Sequence, residues 1–324
     1  MSKFFSVFLV CVKITAALTP TCERQLITYE TVNITPQKLM DFVVKSAPND
    51  KVIVIVDQII PILCQSLFKI GAKIDLIEIL ANNIEKIEPN TFFNQNITQH
   101  ITITGNRIPV IERHTFANLE IMSFNLNSNE IQVIEVEAFA NLPKLDTIYL
   151  NQNKLQCFNP HSYYQVPELK FLEVTENKIK KLERKSLSFV EQDDFYIFLQ
   201  NNQIGELDHD SFADFKRNAL HLVLNCNFLE SLPDGIFNGH TFEQIDLAHN
   251  PLKKISGSIC DETCSIKFFY LSNDSFKICD RQFLQWAESR NISLALPTFS
   301  AGNKIMFGVA LTMTLLCIIY FAHF

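Results

Sequence analysis

The amino-acid sequence predicts an α/β solenoid, a horseshoe with a parallel β-sheet on its concave face and irregular or short helical segments on its convex face. Three observations predict it. A short unit of alternating aliphatic residues recurs along most of the chain, an asparagine follows each unit, and a large apolar residue follows each asparagine at a fixed distance. Alternating runs are typical of strands with one buried face, and strands repeated at a constant interval stack in parallel.

The asparagines set the period of the repeat. The first clear unit reads Ile77, Ile79, Asn82, Ile84 and Ile87. The asparagines of the eight clear units are Asn82, Asn106, Asn129, Asn153, Asn177, Asn202, Asn227 and Asn250, in steps of 24, 23, 24, 24, 25, 25 and 23 residues. Because a primary amide both donates and accepts hydrogen bonds, we expect these side chains to form a buried ladder that satisfies backbone groups of neighbouring coils.

A second column lies ten positions after each asparagine. Its members are Phe92, Phe116, Phe139, Tyr163, Leu187, Phe212 and Phe237, with Phe68 in a degenerate first unit. We expect these large side chains to fill the convex half of the core.

On these residues the chain resembles the extracellular leucine-rich-repeat proteins of animals, of the membrane-anchored or glycosylphosphatidylinositol-anchored type. The resemblance runs from about residue 50 to residue 290 and implies a solenoid that engages a protein ligand. The stretch Cys279-Asp280 to Phe283-Leu284-x-Trp286 is similar to the family's C-terminal cap, although the usual four cysteines are here Cys260, Cys264 and Cys279. The resemblance suggests disulfides between Cys22 and Cys64 and between Cys279 and Cys260 or Cys264, with the connectivity open.

The chain ends indicate passage through the secretory pathway. A basic head, a short apolar run and small residues before position 18 are typical of a signal peptide. The predicted organisation is a signal peptide at 1–17, an N-terminal cap at 18–50, repeats at 51–258, a C-terminal cap with the last partial repeat at 259–292, a linker at 293–304 and a hydrophobic tail at 305–324. Glycosylation sequons agree with this route and begin at Asn33, Asn96, Asn273 and Asn291.

The charge-free tail at 305–324 predicts attachment to the extracellular face of the plasma membrane. It is long enough to cross a bilayer, but small residues before it favour a lipid-anchor signal, with Ser293 as the attachment residue. A single membrane span is the alternative.

Charge and motifs exclude several function classes. The formal net charge of -7 argues against nucleic acid as a partner. The run Asp208-His209-Asp210-Ser211 contains triad residue types, but a triad needs groups that converge from different segments. No phosphate-binding loop or paired metal-ligand spacing is found, so we expect no enzyme activity, no cofactor and no metal site.

The candidate ligand-binding residues face the concave side, because side chains alternate across a strand. They are Tyr149, Phe171, Glu173, Tyr196, Phe198 and His221. Exposed aromatic groups are typical anchors in protein interfaces; the alternative is that ring stacking only stabilises the sheet. Cys157 and Cys226 lie too far apart in the repeat to pair, so a homodimer linked through Cys226 is a further possibility.

The expected function is recognition or adhesion at the cell surface, by binding an extracellular or cell-surface protein on the concave face. The alternatives are a ligand-sensing receptor ectodomain of innate immunity that acts through a co-receptor, and a secreted structural component of the extracellular matrix.

Overall fold

The computed structural model describes residues 27–29, 32–34, 52–56, 61–64, 73–215, 219–272 and 279–295. Its one α-helix of eight or more residues in these segments is α1 (Arg281–Ser289), and single 3-10 turns occupy Pro160–Ser162 and Gly257–Ile259. The strands are β1 (Ile27–Tyr29), β2 (Val32–Ile34), β3 (Val52–Val56), β4 (Ile62–Leu63), β5 (Ile74–Leu80), β6 (Lys86–Ile87), β7 (Ile97–Thr104), β8 (Val110–Ile111), β9 (Phe116–Ala117), β10 (Ser123–Asn125), β11 (Val133–Ile134), β12 (Phe139–Ala140), β13 (Thr147–Tyr149), β14 (Tyr163–Tyr164), β15 (Phe171–Glu173), β16 (Lys181–Leu182), β17 (Tyr196–Phe198), β18 (Glu206–Leu207), β19 (Leu220–Val223), β20 (Thr241–Asp246), β21 (Ser265–Tyr270) and β22 (Ser293–Ala295). None of the helices in the described part of the chain is long and apolar enough to cross a membrane.

One parallel sheet organises the described residues. Its eleven strands follow the order β22-β21-β20-β19-β17-β15-β13-β10-β7-β5-β3, so each repeat contributes one strand beside the previous repeat. Ile148 of β13, for example, pairs in register with Phe124 of β10 and with Leu172 of β15. Small sheets of two or three strands line other faces of the coils. The predicted solenoid with a parallel sheet and little helix is confirmed.

The eight predicted asparagines line the interior as a hydrogen-bonded ladder. All are buried. The Asn153 amide donates to the Leu126 carbonyl of the previous coil at 3.0 Å, and its Oδ1 accepts the Ile131 N–H at 3.0 Å. Asn106, Asn177, Asn202, Asn227 and Asn250 repeat this pattern of one donor and one acceptor contact to the preceding coil. Buried backbone groups without a partner are costly, so the ladder holds adjacent coils together.

The residue before each of these asparagines adopts a left-handed backbone conformation. Its φ lies between 54° and 67° at Ala81, Gly105, Ser128, Gln152, Glu176, Asn201, Cys226 and His249. L-residues visit this region rarely. The turn that directs each asparagine into the interior therefore has a fixed shape, which the sequence pattern did not reveal.

The large residues of the second column pack in a row on the convex side of the core. Ring centroids lie 5.3 Å apart for Phe92 and Phe116, 5.4 Å for Phe116 and Phe139, and 5.7 Å for Phe139 and Tyr163. These rings are buried. Phe68 of the degenerate first unit lies outside the described residues.

Helix α1 closes the C-terminal end of the solenoid. The Asp280 carboxylate accepts the Phe283 N–H at 2.7 Å and so caps the first turn. Phe283 is fully buried, 5.6 Å from the Phe269 ring and 5.4 Å from Trp286, measured between centroids. An apolar helix face thus covers the last coil, as solenoid ends require.

The cysteines of this cap differ from the prediction. A disulfide joins Cys260 to Cys264, whose Cα atoms are 5.7 Å apart, a separation that suits such a bond. Cys279 is not joined to either of them, and its backbone pairs in parallel with that of Ile255 as an isolated β-bridge. The predicted pairing of Cys279 with Cys260 or Cys264 is therefore wrong, because the latter two meet within a single turn. Cys64 is also disulfide-bonded, and Cys22 lies outside the described residues.

Candidate functional site

The concave side of the sheet displays two columns of side chains. In register, the first column places Thr147, Phe171, Tyr196, His221, Gln244 and Phe268 on successive strands from β13 to β21. The second places Tyr149, Glu173, Phe198, Val223, Asp246 and Tyr270 on the same strands. Neighbouring members of a column are about 4.8 Å apart across the sheet.

A stacked row of rings is the most ordered feature of this surface. Phe171 and Tyr196 have centroids 4.8 Å apart with planes inclined by 19°, and Tyr196 and His221 lie 3.9 Å apart at 8°. All three rings are partly exposed. We call these residues the aromatic row.

Phe198 is buried, in contrast to the exposure that alternation along the strand led us to expect. Only 3% of it is exposed. Glu173 and Val223 flank it on the neighbouring strands, and the Tyr196 ring lies 6.3 Å away. A large ring at the centre of a concave surface is covered by its neighbours, so Phe198 forms the floor beside the aromatic row.

Two half-buried carboxylates lie in the second column on either side of Phe198 and Val223. Burial raises the pKa of Glu173, an effect that the hydrogen bond from the Asn151 amide at 2.7 Å partly offsets. Burial also raises the pKa of Asp246, which accepts the Ala248 N–H at 3.0 Å. Neither carboxylate takes part in an ion pair among the described residues. No Lys or Arg of these residues acts on the pKa of either carboxyl, and His249 is the one basic side chain that partly offsets the effect of burial on Asp246.

Burial favours the neutral form of both His221 and Tyr149. Burial lowers the pKa of His221 below its usual value, although Glu243 and Asp194 act in the opposite direction. Burial, with smaller contributions from Glu173 and Asp146, raises the pKa of Tyr149 to about 12. The rings therefore offer polarisable, uncharged faces beside two carboxylates.

The surface extends beyond the residues that the sequence pointed to. Phe268 and Tyr270 continue both columns on β21, with ring centroids 6.3 Å apart. They flank Phe269 in the shortened last unit, and reading the two columns one unit further would have found them.

Asn127 and Asn151 form a second, smaller ladder. The side-chain carbonyl of Asn127 accepts the backbone N–H of Asn151, and that of Asn151 accepts the backbone N–H of Thr175.

Sequence and structure comparisons agree with this geometry. A family model described as leucine rich repeat matches residues 120–179. No curated protein matches the sequence. One similar solved chain belongs to the Toll–Spatzle complex, a molecular hub in Drosophila development and innate immunity, with a TM-score of 0.59 and 18% identity, covering 75% of this chain and 33% of that one.

A chain of the TLR13–ssRNA13 complex gives a TM-score of 0.54 and 15% identity, covering 82% of this chain and 42% of that one. The fold is a leucine-rich-repeat solenoid. This chain therefore spans less than half the length of either of these leucine-rich-repeat chains, and at such identities the likeness concerns the fold.

The other predicted sites lie apart from the concave surface. Asn96 and Asn291 are exposed on the leucine-rich-repeat solenoid, whereas Asn273 and the Asn33 side chain lie outside the described residues. Ser293 begins β22 and pairs with Phe268. Cleavage after Ser293 would remove the rest of this strand, an argument against Ser293 as the attachment residue. Residues 1–17 and 305–324 also lie outside the description.

The polar turn at residues 208–211 is structural. The Ser211 hydroxyl donates to the Leu182 carbonyl at 2.8 Å and to the Asp208 carbonyl at 2.7 Å, and Ser211 is fully buried. The partly exposed Asp210 contacts His209 Nδ1 at 3.0 Å and pairs with Arg184 at 3.1 Å. The hydroxyl thus has no approach for a substrate, and no cluster of metal-ligating side chains occurs within the described segments.

Proposed function

We propose that this chain is an extracellular or cell-surface recognition protein that binds a protein ligand on the concave face of its leucine-rich repeats, without catalysis or cofactor. The partly exposed aromatic row carries the proposal. Aromatic side chains on a rigid surface lose little conformational entropy on binding and dominate many interfaces. The parallel sheet fixes their positions, so the surface is ready before a partner arrives.

The cysteines support an extracellular location. Disulfides persist in oxidising compartments and are rare in the cytosol, and both Cys64 and the Cys260–Cys264 pair are disulfide-bonded. A signal peptide at 1–17, glycans at the exposed Asn96 and Asn291, and membrane attachment through 305–324 belong to the same proposal. Treating intact cells with a phosphatidylinositol-specific phospholipase tests the attachment, since release indicates the lipid anchor and retention indicates a membrane span.

A protein partner fits better than a nucleic acid, although TLR13 is found in complex with ssRNA. Nucleic-acid binding depends on Lys and Arg contacts to phosphates. The two concave columns contain neither residue from β5 to β21, and the whole chain carries a net charge of -7.

The test is a binding screen of the full chain, displayed on cultured cells, against secreted proteins and the ectodomains of surface proteins. Phe171→Thr and Tyr196→Ser introduce the residue types that the same column already carries at Thr147 and Ser123. We expect them to weaken binding by about tenfold or more, as for interface hot spots. Tyr164→Ser, at a residue 49% exposed and far from the concave columns, is the control. Equal affinity for all three variants would reject the concave site.

The partner's location then separates the roles within this proposal. Adhesion predicts aggregation of cells that carry the chain with cells that carry the partner. A sensing ectodomain predicts instead a soluble partner and dependence on a co-receptor, and a matrix component predicts accumulation in the medium. A homodimer through Cys226, which is partly exposed, predicts a dimer band that disappears on reduction and in Cys226→Ser.

A further inference from the structure

We infer that the partner presents basic side chains, Arg or Lys beside apolar residues, to the concave surface between Glu173 and Asp246. This inference rests on the proposed function and specifies the chemistry of its partner. Three features carry it: the charge of the concave columns, the lack of compensation for their carboxylates, and the ring faces beside them.

The concave columns are acidic without any cation. Their charged residues are Glu78, Glu173 and Asp246, and no Lys or Arg occurs in register with them from β5 to β21. By contrast, many acidic residues on the other faces pair with a Lys of a neighbouring coil, as Glu130 does with Lys154 at 2.8 Å. The sequence balances charge elsewhere and leaves it unbalanced on this surface.

The Lys residues nearest to this surface lie at the edge of the sheet, and His249 is close enough to Asp246 to offset part of the effect of burial on its pKa. Lys267 forms an ion pair with Glu243, and the carboxylate compensates the charge of the lysine. Lys170 precedes Phe171 on the same edge, and its effect on the pKa of His221 is opposite to that of Glu243 and Asp194. The centre of the surface therefore keeps a negative potential that favours a cationic partner and repels a polyanion.

The geometry suits a basic side chain of a protein. Glu173 and Asp246 are three strands apart, about 14 Å at the usual strand spacing, with Phe198 and Val223 between them. Phe171 lies on the same strand as Glu173, roughly 7 Å along it. A guanidinium or ammonium group can stack on the aromatic row and reach a carboxylate in the same pose, while apolar neighbours of that basic residue cover Val223.

The probe is a phage-displayed library of random disulfide-closed peptides, selected on the full chain. We expect the peptides that lose binding with Tyr196→Ser to be enriched in Arg and Lys over the unselected library. Glu173→Gln with Asp246→Asn should weaken their affinity by about tenfold or more, as expected for hydrogen bonds to charged groups. Glu78→Gln is the matched control, because Glu78 lies in the same column about 19 Å from Glu173. It should leave the affinity unchanged.

The outcomes are distinguishable. Acidic or neutral peptides that depend on Tyr196, or basic ones that tolerate neutralisation of both carboxylates, would overturn the basic partner and leave the proposed function standing. Peptides that never depend on the aromatic row would overturn both. Since neutralisation removes desolvated charges, the variants should unfold at an unchanged or higher temperature, which a thermal melt of each verifies.

Discussion

Replacement of Asn202 by Ala tests whether the asparagine ladder holds the coils together. The Asn202 amide donates to the Val174 carbonyl at 2.8 Å and to the Leu199 carbonyl at 3.1 Å, and its Oδ1 accepts the Ile179 N–H at 3.1 Å. Leu199 keeps a second donor, the Asn227 amide at 2.9 Å. The substitution therefore deprives two buried backbone groups, the Val174 carbonyl and the Ile179 N–H, of these bonds.

Each buried group without a partner costs about 1–3 kcal/mol, so Asn202→Ala should lower the free energy of unfolding by about 2–6 kcal/mol. Asn129 supplies the matched control. Its amide donates to the Ile103 carbonyl at 2.7 Å, but its Oδ1 has no hydrogen-bond partner. Asn129→Ala should therefore lower the free energy of unfolding by about 1–3 kcal/mol. This loss is smaller than that of Asn202→Ala because no backbone N–H loses an acceptor, as Ile179 does there.

Urea unfolding of the full chain in mild detergent measures both losses of stability. The signals are far-UV circular dichroism and the fluorescence of Trp286, the one tryptophan of the sequence. Hydrogen exchange localises the effect, because the Ile179 amide should exchange faster in Asn202→Ala. Asn202→Asp keeps the acceptor and loses the donor, and its buried carboxylate has a raised pKa, so its stability should recover as the pH falls. Equal losses for Asn129→Ala and Asn202→Ala, or a protected Ile179 amide in the latter, would refute the reasoning.

Three further predictions concern stability. Burial raises the pKa of Glu78 in the folded state, so the charged form destabilises the fold. Glu78→Gln should raise the melting temperature at pH 7, with the difference vanishing below about pH 4, where the residue is protonated in both states; no gain at pH 7 would contradict this. Joint replacement of Cys260 and Cys264 by Ser should lower the free energy of unfolding by about 2 kcal/mol, because the unfolded chain gains the entropy of the opened loop. Reductant should then shift the melting temperature of this variant less than that of the parent chain. Phe139→Ala empties a fully buried site and should cost about 3–5 kcal/mol; a loss below 1 kcal/mol in urea unfolding would show a loosely packed convex column.

The repeat made the interior predictable from sequence. Asn153 and Phe139 occupy positions whose residue types recur at a fixed interval. At every recurrence the same residue type is needed, either an amide that binds backbone groups or a large side chain that fills the convex core. One correct register therefore places the strands of the main sheet from β5 to β20, whereas β22 lies in the segment that was predicted to be a linker. The fold of such a chain is a local rule applied repeatedly.

Features that depend on curvature or on single contacts did not follow from this rule. Alternation along β17 places Phe198 on the concave face, but its burial depends on how closely the neighbouring side chains approach it across the curved sheet. The Cys260–Cys264 bond depends on the path of one turn, which sequence spacing leaves open. Phe268 and Tyr270 follow the same alternation, but they lie in the shortened last unit, from which no candidate residue was taken.

The aromatic row is informative because the fold does not require it. Ser123 and Thr147 hold the same column on β10 and β13, so small polar residues satisfy the sheet at these positions, whereas Phe171, Tyr196 and His221 present large rings. Stacking alone would contribute about 0.5–1.5 kcal/mol for each aromatic pair, an amount that the buried ladder exceeds many times over. Tyr196 stacks on both Phe171 and His221, so a role confined to stabilising the sheet predicts that Tyr196→Ser lowers the unfolding free energy by about 1–3 kcal/mol and leaves binding unchanged. A binding surface predicts a loss of affinity in addition to this loss of stability, and the carboxylates beside the row, which form no ion pair among the described residues, favour the second result.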